Sequence, residues 1–381
     1  MILTFLGKGG SGRSAIAIAS AHQLSKAGKR VLLATQDPTT ELFLETPLDS
    51  TVSVSSRRLH LPKREVPAAT VGQFWAVSLR ATVLLETSWE EVKRLEAQYL
   101  RSPLLDNVYG QELTVLPGMD QALALNALRE YYESGDYDVI IFDGAGDLST
   151  LRMFAIPENL SWYIRRFRDL FLNSDLGKTI SSFIQPISSA ILNVPWTAED
   201  LTNNADANQA NQILERGKTA LSEGKVAGYL VTADDPYALK NAKFLWGSAQ
   251  QSNLRIPGVL LNQETTVRDV VQSEFSPLPV TPLPGINPGE WQILADALPD
   301  LLAGVSQAPS SVEIDRTQRT VKIFLPGFSK KQIKLTQPQN QQEITVEAGD
   351  QRRNIELPPP LKGQPVKGAK FLEEGYLVVS F

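Results

Sequence analysis

The chain has 381 residues, no cysteine and a formal net charge of −5 at pH 7. This length predicts two or three domains, and 42% apolar with 21% charged residues is ordinary for a globular protein with a sizeable core. The lack of cysteine excludes disulfides and thiolate metal sites, the charge argues against a general nucleic-acid binder, and no apolar run is long enough to predict stable membrane insertion.

The chain opens on a strand–helix–strand pattern. Residues 2–7, ILTFLG, predict a buried parallel strand; residues 11–29 predict a helix that ends at Gly28; and residues 30–37, RVLLATQD, predict a second buried strand. Together they predict a βαβ unit with a glycine-rich loop between its first strand and its helix. Because the strand pattern begins at once, we expect no cleavable signal.

Further buried strands are predicted at 137–146, 225–235 and 256–263, and a helical segment at 236–251 separates the last two. This alternation indicates an α/β fold, with a doubly wound, mostly parallel sheet and helices on both faces.

Two stretches, 84–134 and 158–215, read as mostly helical and interrupt this alternation. Each contains an apolar stripe at helical spacing: Trp89, Val92, Leu95 and Tyr99 in the first, and Leu176, Ile180, Phe183, Ile187 and Ile191 in the second, where Pro186 interrupts the pattern. We interpret them as an inserted helical subdomain above the carboxyl edge of the sheet. The stripes are candidates for an apolar client surface, and ordinary core packing is the alternative.

The last 70 residues differ from the rest of the chain in charge and in the pattern of apolar residues. Residues 312–381 carry 11 Lys and Arg against 8 Asp and Glu, so their net charge is +3 in a chain that is negative overall. Their short segments with alternating apolar residues, separated by Gly and Pro, predict a β-sandwich. The stretch 301–314 is rich in small and loop-forming residues. We therefore divide the chain into a domain over 1–305, a linker over 306–314 and a sandwich over 315–381.

The glycine-rich loop, LGKGGSGRSA at residues 6–15, has the composition of a phosphate site. Glycines let backbone N–H groups approach an anion, and the helix that opens at residues 13–14 places a positive dipole end behind them; the glycines are Gly7, Gly9, Gly10 and Gly12. The Ser14 hydroxyl can ligate Mg²⁺, Asp143 at a neighbouring strand end can hold the metal through water, and Asp37 can orient an attacking water.

Each of these residues also has an ordinary structural interpretation. The glycines could form a plain tight turn between strand and helix. Asp143 could be a helix cap or turn residue, and Asp37 could belong to an Asp-Pro turn. The three polar residues all follow predicted strands at their carboxyl ends, where α/β sheets bind ligands, and this favours the nucleotide interpretation.

Residues 7–14, GKGGSGRS, resemble the deviant Walker A loop, G-K-G-G-x-G-K-S/T, of a P-loop ATPase family. That family includes arsenite-pump ATPases, tail-anchored-protein targeting factors, and septum-site and partition ATPases. The resemblance implies ATP and Mg²⁺ as cofactors, with the nucleotide bound by residues 7 to 14: Gly7, Lys8, Gly9, Gly10, Ser11, Gly12, Arg13 and Ser14. It also implies a homodimer in which Lys8 reaches the partner's nucleotide and acts with Asp37 in catalysis.

Further motifs in the same order resemble the arsenite-pump and tail-anchored-targeting branch over about residues 1–305. QDPTTEL (36–42) resembles switch I and FDGAGDLSTLRMFAIP (142–157) resembles switch II, while LPGMDQAL (116–123) and PLPGINPGEWQILADAL resemble later segments. VLLNQ (259–263) resembles the strand whose asparagine reads adenine, which implies that role for Asn262.

Several positions depart from the family pattern. Arg13 replaces the loop lysine, and its planar fork is larger than an ammonium, so we expect binding to survive better than hydrolysis. Thr40 stands where switch I usually has histidine, and switch II lacks its T-A-P. The cysteines that bind interfacial zinc or arsenite in relatives are absent, so we expect no zinc and no arsenite-pump role.

The C-terminal residues resemble the small heat-shock, or α-crystallin, fold. FLPGFSKKQIKL (324–335), RNIELPPPL (353–361) and AKFLEEGYLVVSF (369–381) match three of its motifs in order, and a generic appended sandwich is the alternative. The I-x-I assembly tail is absent. The two modules together resemble tail-anchored-targeting homologues of cyanobacteria and plastids, which implies a location in the cytoplasm or, after removal of a transit peptide, in the plastid stroma.

Two functions follow from these observations. The first is a homodimeric ATP switch, with slow ATPase activity, that couples its nucleotide state to an apolar protein client. The second is a nucleotide-stabilised chaperone or binding scaffold that does not hydrolyse ATP. A partition-type ATPase acting on nucleic acid or membrane fits less well, because residues 1–311 are acidic and the chain has no basic amphipathic tail.

Overall fold

The structure is a computed structural model that describes residues 1–44, 64–66, 73–85, 118–173, 209–287 and 289–381. Within these ranges no helix has both the length and the hydropathy that a membrane crossing needs. Both apolar stripes, at 89–99 and 176–191, lie outside the described residues.

Eight strands form the central sheet. They are β1 (Ile2–Leu6), β2 (Val31–Thr35), β3 (Arg64–Val66), β4 (Phe74–Ser78), β5 (Val139–Asp143), β6 (Val226–Thr232), β7 (Val259–Asn262) and β8 (Val280–Leu283). Their order is β3-β4-β2-β5-β1-β6-β7-β8, and all neighbours run parallel except β3 and β4. The doubly wound, mostly parallel sheet is therefore confirmed. The outer strands β3, β4 and β8 were not among the strands predicted from sequence.

Helices connect these strands and cover both faces of the sheet. They are α1 (Arg13–Lys26), α2 (Thr39–Leu44), α3 (Met119–Ser134), α4 (Leu148–Asn173), α5 (Gln209–Ser222), α6 (Pro236–Gln251), α7 (Asp269–Glu274), α8 (Trp291–Ala297) and α9 (Ala303–Gln307). The first helix ends as predicted, because Gly28 takes a left-handed conformation with φ 80° just beyond it. The start of α4 at Leu148 places ten residues of this helix before the predicted insertion at 158.

The core divides into two apolar clusters, one on each face of the sheet. Strand β1 contributes to both: Ile2 and Leu6 pack with the cluster of α3, α4 and α6, and Leu3 and Phe5 pack with the cluster of α1 and α8. All five β1 residues are buried. This two-sided burial explains why the strands read as continuous apolar runs rather than as alternating patterns.

The C-terminal residues form two antiparallel sheets. The strands are β9 (Val312–Asp315), β10 (Thr320–Phe324), β11 (Ile333–Thr336), β12 (Glu343–Ala348), β13 (Gln351–Glu356), β14 (Gly368–Phe371) and β15 (Tyr376–Ser380). One sheet has the order β14-β15-β10-β9 and the other β11-β12-β13. Alternate residues such as Val321, Ile323 and Val346 meet in a third apolar cluster. The predicted sandwich is confirmed. Between α9 and β9 only residues 308–311 lie outside regular structure.

Candidate functional site

Three glycines, Gly7, Gly10 and Gly12, shape the loop between β1 and α1, because a side chain at each would cause overlap or backbone strain. Gly10 and Gly12 have φ values of 79° and 92°, in the left-handed region. A Cβ at Gly7 would overlap the carbonyl oxygen of Val231, and one at Gly12 would overlap the side-chain amide of Asn262. The loop therefore presents bare backbone at the amino end of α1, where the first-turn N–H groups have no partner within the helix. This is the geometry of a phosphate cradle.

Ser11 lies inside this loop and leaves a polar atom unsatisfied. Its side chain is 4% exposed, and its hydroxyl has no hydrogen-bond partner among the described residues. A buried hydroxyl without a partner is costly, so a bound oxyanion would supply the interaction that the protein lacks here. The loop thus fits the phosphates of a nucleotide.

Arg13, the residue in the lysine position, turns back across the loop. Its Nη1 donates to the carbonyl oxygen of Gly7, and its side chain fills the space beside Gly146, where a Cβ would come within 2.6 Å of the Arg13 Cδ. Burial lowers the pKa of Arg13, and the nearby carboxylates of Asp143, Asp147 and Asp37 oppose that effect. An arginine remains charged under these conditions, so the loop keeps one fixed positive charge.

The two residues predicted to hold a metal, Ser14 and Asp143, lie together. The Asp143 carboxylate is 2% exposed and is hydrogen-bonded to Ser14. Thr40 Oγ1 also donates to Asp143 Oδ2 at 2.7 Å. Burial raises the pKa of Asp143, and the bonds from Thr40 and Ser14 partly offset the rise. A hydroxyl and a carboxylate are hard oxygen donors of the type that Mg²⁺ prefers, so the pair fits this metal.

Switch I is joined to switch II through buried threonines. Thr40 is fully buried, and besides its bond to Asp143 it accepts one from Thr35 Oγ1 at 3.1 Å. Thr35 Oγ1 also accepts the Asp37 N–H at 3.0 Å. Thr40, which stands where the resembled switch I pattern has histidine, therefore links switch I to switch II in this conformation.

Asp37 uses its carboxylate to begin α2. Its Oδ1 accepts hydrogen bonds from Thr39 N at 2.8 Å and from Thr39 Oγ1 at 2.7 Å. These contacts are those of the Asp-Pro turn that the sequence left open. The residue nevertheless lies at the carboxyl edge of the sheet, two residues beyond β2. Its role in orienting water stays a prediction.

Lys8 and Gly9 occupy the open side of the loop. Lys8 Nζ forms an ion pair with Asp235 Oδ2 at 2.9 Å, and both side chains are about 40% exposed. A Cβ at Gly9 would have no atom within 4 Å. Lys8 is thus held by its own chain through a solvent-screened contact, and its reach toward a partner's nucleotide stays a prediction.

Asn262, the predicted adenine reader, contacts the phosphate loop. It ends β7, and its Nδ2 donates to the carbonyl oxygen of Ser11 at 2.9 Å. The same amide lies where a side chain at Gly12 would have to go. In this conformation Asn262 supports the loop, and its contact with a base stays a prediction.

Three residues of this region were missed by sequence reasoning. Thr35 links switch I to switch II. Asp147 lies near Arg13 and accepts hydrogen bonds from Ser149 N and Oγ at 2.8 and 2.7 Å. Asp235 pairs with Lys8. Asp235 had a readable signal, because an Asp followed by Pro is a typical helix start, and its Oδ1 does accept the N–H groups of Tyr237 and Ala238.

Other features of the described chain lie away from the loop. The described residues contain no group of three or more His, Asp or Glu placed to hold a metal. An apolar cavity of about 310 Å³ lies between α3, α4 and α5, with Ile2, Phe154, Pro157, Leu214 and Val226 in its wall. Ile2 and Val226 begin their strands, so this cavity opens near the amino edge of the sheet, opposite the phosphate loop.

Comparison with known proteins adds family information. A family model described as "Anion-transporting ATPase" matches residues 1–276, and one described as "HSP20-like domain found in ArsA" matches residues 316–381. A chain of Aquifex aeolicus named arsenical pump-driving ATPase 1 is 24% identical over 99% of both chains. A chain of Prosthecochloris vibrioformis named arsenical pump-driving ATPase is 28% identical over 49% of this chain and 44% of its own length. An "ATPase ASNA1 homolog" of Plasmodium vivax is 27% identical over 40% of this chain and 36% of its own.

Proposed function

The chain belongs to the anion-transporting ATPase family, and we propose that it is a homodimeric ATP-binding switch whose slow ATPase activity governs the binding of an apolar protein client. The observation that carries this proposal is the loop of residues 7–14. Its glycines admit no side chain at Gly7 and Gly12, and its helix end and buried Ser11 hydroxyl favour an oxyanion.

The chain's own residues have distinct parts in this proposal. The N–H groups of the loop would hold the phosphates, Arg13 would neutralise their charge, and Ser14 with Asp143 would hold Mg²⁺. Bound Mg²⁺ supplies charge neutralisation to the phosphate oxygens. Thr39 occupies Asp37 Oδ1, so for Asp37 to orient a water, the second carboxylate oxygen, Oδ2, would accept the hydrogen bond from that water.

A second copy of the chain is the partner that we propose for the open side of the loop. Lys8 is on this side, and its bond to Asp235 is exposed to solvent, so release costs little. The client would be an apolar protein segment, as the resemblance to targeting factors implies. The resemblance of the two modules to cyanobacterial and plastid homologues leads us to propose a location in the cytoplasm or the plastid stroma. Because the chain has no cysteine and a net charge of −5, we propose no zinc, no arsenite and no nucleic acid as partners.

The alternative, a scaffold that binds nucleotide without cleaving it, has a specific observation in its favour. Arg13 and Asp37 are both committed to contacts within the chain, to Gly7 and Thr39. If these contacts persist when nucleotide is bound and hold both side chains away from the phosphates, ATP would act as a stabilising ligand only.

The test separates the two functions. Thermal stability of the full chain is measured with and without ATP and Mg²⁺, and steady-state phosphate release is then measured for the wild type and Asp37→Asn. A rise in melting temperature with turnover that Asp37→Asn abolishes supports the switch. The same rise without turnover supports the scaffold, and no rise rejects both. Size-exclusion chromatography of wild type and Lys8→Ala with a nonhydrolysable ATP analogue tests the dimer, which the variant should weaken.

A further inference from the structure

Two helices that begin at the candidate nucleotide site also contact the C-terminal sandwich. Helix α4 starts at Leu148, within the switch II segment 142–157, and α6 starts at the Asp235 cap that pairs with Lys8. We propose that the sandwich responds to the nucleotide that is bound in its own chain. It is docked on these two helices, so its position changes when switch II moves. Its contacts with the helices in turn set the ratio of the affinities for ATP and ADP.

The amino end of α4 is fixed to switch II. The Gly146 N–H donates to Thr150 Oγ1 at 2.9 Å, and Asp147 Oδ1 accepts the Ser149 N–H at 2.8 Å. The Gly7 N–H in turn donates to the Gly146 carbonyl at 2.8 Å. Any shift of switch II that accompanies a change at the phosphates therefore moves the first turn of α4.

The body of α4 is fixed to the sandwich by polar contacts. Arg152 pairs with Asp350 in the turn between β12 and β13. Farther along, Trp162 Nε1 donates to Glu343 Oε1 at 2.9 Å. The Arg352 guanidinium lies 5.5 Å from the centre of the Trp162 ring, a cation–π distance.

Two more pairs continue this row, between Glu158 and Arg353 at 3.5 Å and between Arg165 and Glu356 at 3.8 Å. Glu158, Trp162 and Arg165 follow the i, i+4, i+7 spacing of one helix face. At 1.5 Å per residue, the row from Arg152 to Arg165 spans roughly 20 Å. The β12–β13 hairpin therefore follows α4 over several turns rather than at a single point.

Helix α6 contacts the sandwich by close packing. Gly247 has no side chain where the Phe328 ring comes against the helix, and a Cβ there would lie 2.5 Å from Phe328 Cε2. The Trp246 ring packs edge-on against Phe324 at 5.5 Å, and Phe244 packs against Phe328 at 5.8 Å. The sandwich is thus held by two helices that both begin beside the phosphate loop.

This arrangement makes the two domains thermodynamically linked. If the contacts of α4 with the β12–β13 hairpin differ between the ATP and ADP states, the sandwich must stabilise one state over the other. Linkage is reciprocal, so removing the contacts must change the ratio of ATP to ADP affinity, and couplings of this kind are typically about 5- to 150-fold. A sandwich appended only for stability would leave that ratio unchanged.

The inference rests on the proposed function, and its test keeps the two apart. The double variant Arg152→Gln/Trp162→Phe removes two surface contacts, and Gly247→Ala displaces the sandwich from α6 by a separate route. Lys334→Gln is the control, because Lys334 pairs with Glu347 inside the sandwich. All are full-length chains whose folding is checked by circular dichroism. Dissociation constants for ADP and for a nonhydrolysable ATP analogue are measured by calorimetry, and hydrogen exchange is followed in residues 343–356.

We expect the wild type to show different exchange in 343–356 with the ATP analogue and with ADP. The double variant and Gly247→Ala should each change the affinity ratio at least fivefold, while Lys334→Gln keeps the wild-type ratio. If both nucleotides bind but exchange in 343–356 and the affinity ratios are unchanged, the inference is overturned and the proposed function stands. If the wild type binds neither nucleotide, the proposed function is rejected, and this inference with it.

Discussion

Arg353 is the one strongly buried charged residue in the described seam, by which we mean the contacts of α4 and α6 with the sandwich. Its removal should destabilise the protein. The side chain is 7% exposed. Its Nη1 donates to the Gln250 carbonyl oxygen and to Ser311 Oγ, both at 2.9 Å, and its Nε lies 3.5 Å from Glu158 Oε1. Arg353→Met keeps the length of the side chain and removes every polar contact.

The magnitude follows from what the substitution leaves behind. Breaking a buried ion pair by removing one partner costs about 3–5 kcal/mol, because the other charge stays uncompensated. Glu158 keeps 23% of its side chain exposed, so water relieves part of this cost. The Gln250 carbonyl loses a charged donor, which is worth about 1.5–3 kcal/mol, whereas Ser311 keeps its bond to Asn253 at 2.6 Å. These contributions overlap, and we expect the free energy of unfolding to fall by about 3 kcal/mol.

The measurement is urea unfolding followed by tryptophan fluorescence, since Trp162 and Trp246 both lie at this seam. Lys322→Met is the matched control: a long basic side chain on an exposed position of β10, whose loss should cost less than about 0.5 kcal/mol. The double variant Arg353→Met/Glu158→Gln should recover about 1 kcal/mol, because no charge is then left unpaired. A loss below about 1 kcal/mol for Arg353→Met, or no recovery in the double variant, would refute this reasoning.

Three further predictions concern the phosphate loop. Gly12→Ala should weaken ATP binding at least tenfold, because φ 92° strains an L residue by about 1–2 kcal/mol and the Cβ overlaps Asn262. Gly9→Ala places its Cβ in open space and should bind ATP normally in the same calorimetric titration. An equal loss of ATP affinity in the two variants would contradict this reasoning. Arg13→Lys should raise steady-state phosphate release several-fold, because a compact ammonium fits where a planar fork does not; lower turnover with intact binding would show that Arg13 suits the site. Asp143→Asn should change the pH dependence of stability. Burial raises the pKa of Asp143 in the folded chain above its value in the unfolded chain, which is near 3.9. Between these two pKa values the unfolded chain releases the proton and the folded chain keeps it, so the stability of the wild type falls as pH rises. Urea midpoints from pH 4 to 8 should therefore diverge in favour of the variant, and parallel profiles would oppose this assignment.

The sheet could be predicted from sequence because its central strands carry strong local signals. Residues 2–6 and 139–143 are continuous apolar runs, and both are fully buried strands at the centre of the sheet. The outer strands β3 and β8 lack such runs, and β4 has only the four apolar residues 74–77. Trp75 of β4 is 40% exposed and β8 contains Pro282, so their pairing depends on the sheet already formed beside them.

The sequence indicates which residues lie near the phosphate loop, but it does not indicate which of them bond to one another. Glycine spacing and strand ends nominated Ser14 and Asp143, and the family resemblance nominated Asn262. The three residues lie around one loop, because parallel strands bring their carboxyl ends to one edge. The partners of these residues depend on rotamers and on distant segments. The bonds of Asn262 to Ser11 and of Thr40 to Asp143 join residues more than 100 positions apart, and no local pattern encodes such a choice.

The contacts of the loop also explain why binding and cleavage should respond to different changes. Phosphate binding depends on backbone N–H groups and on Arg13, and the glycines, the start of α1 and the buried Ser11 are already in place for it. The residues that we propose for cleavage have partners within the chain in this conformation: Asp37 Oδ1 with Thr39, Lys8 with Asp235, and Asp143 with Thr40. Two of these contacts join switch I to switch II and the phosphate loop to the start of α6. If cleavage uses these residues, we expect their contacts to rearrange, and the docked sandwich lies on α4 and α6, the helices that begin at these contacts.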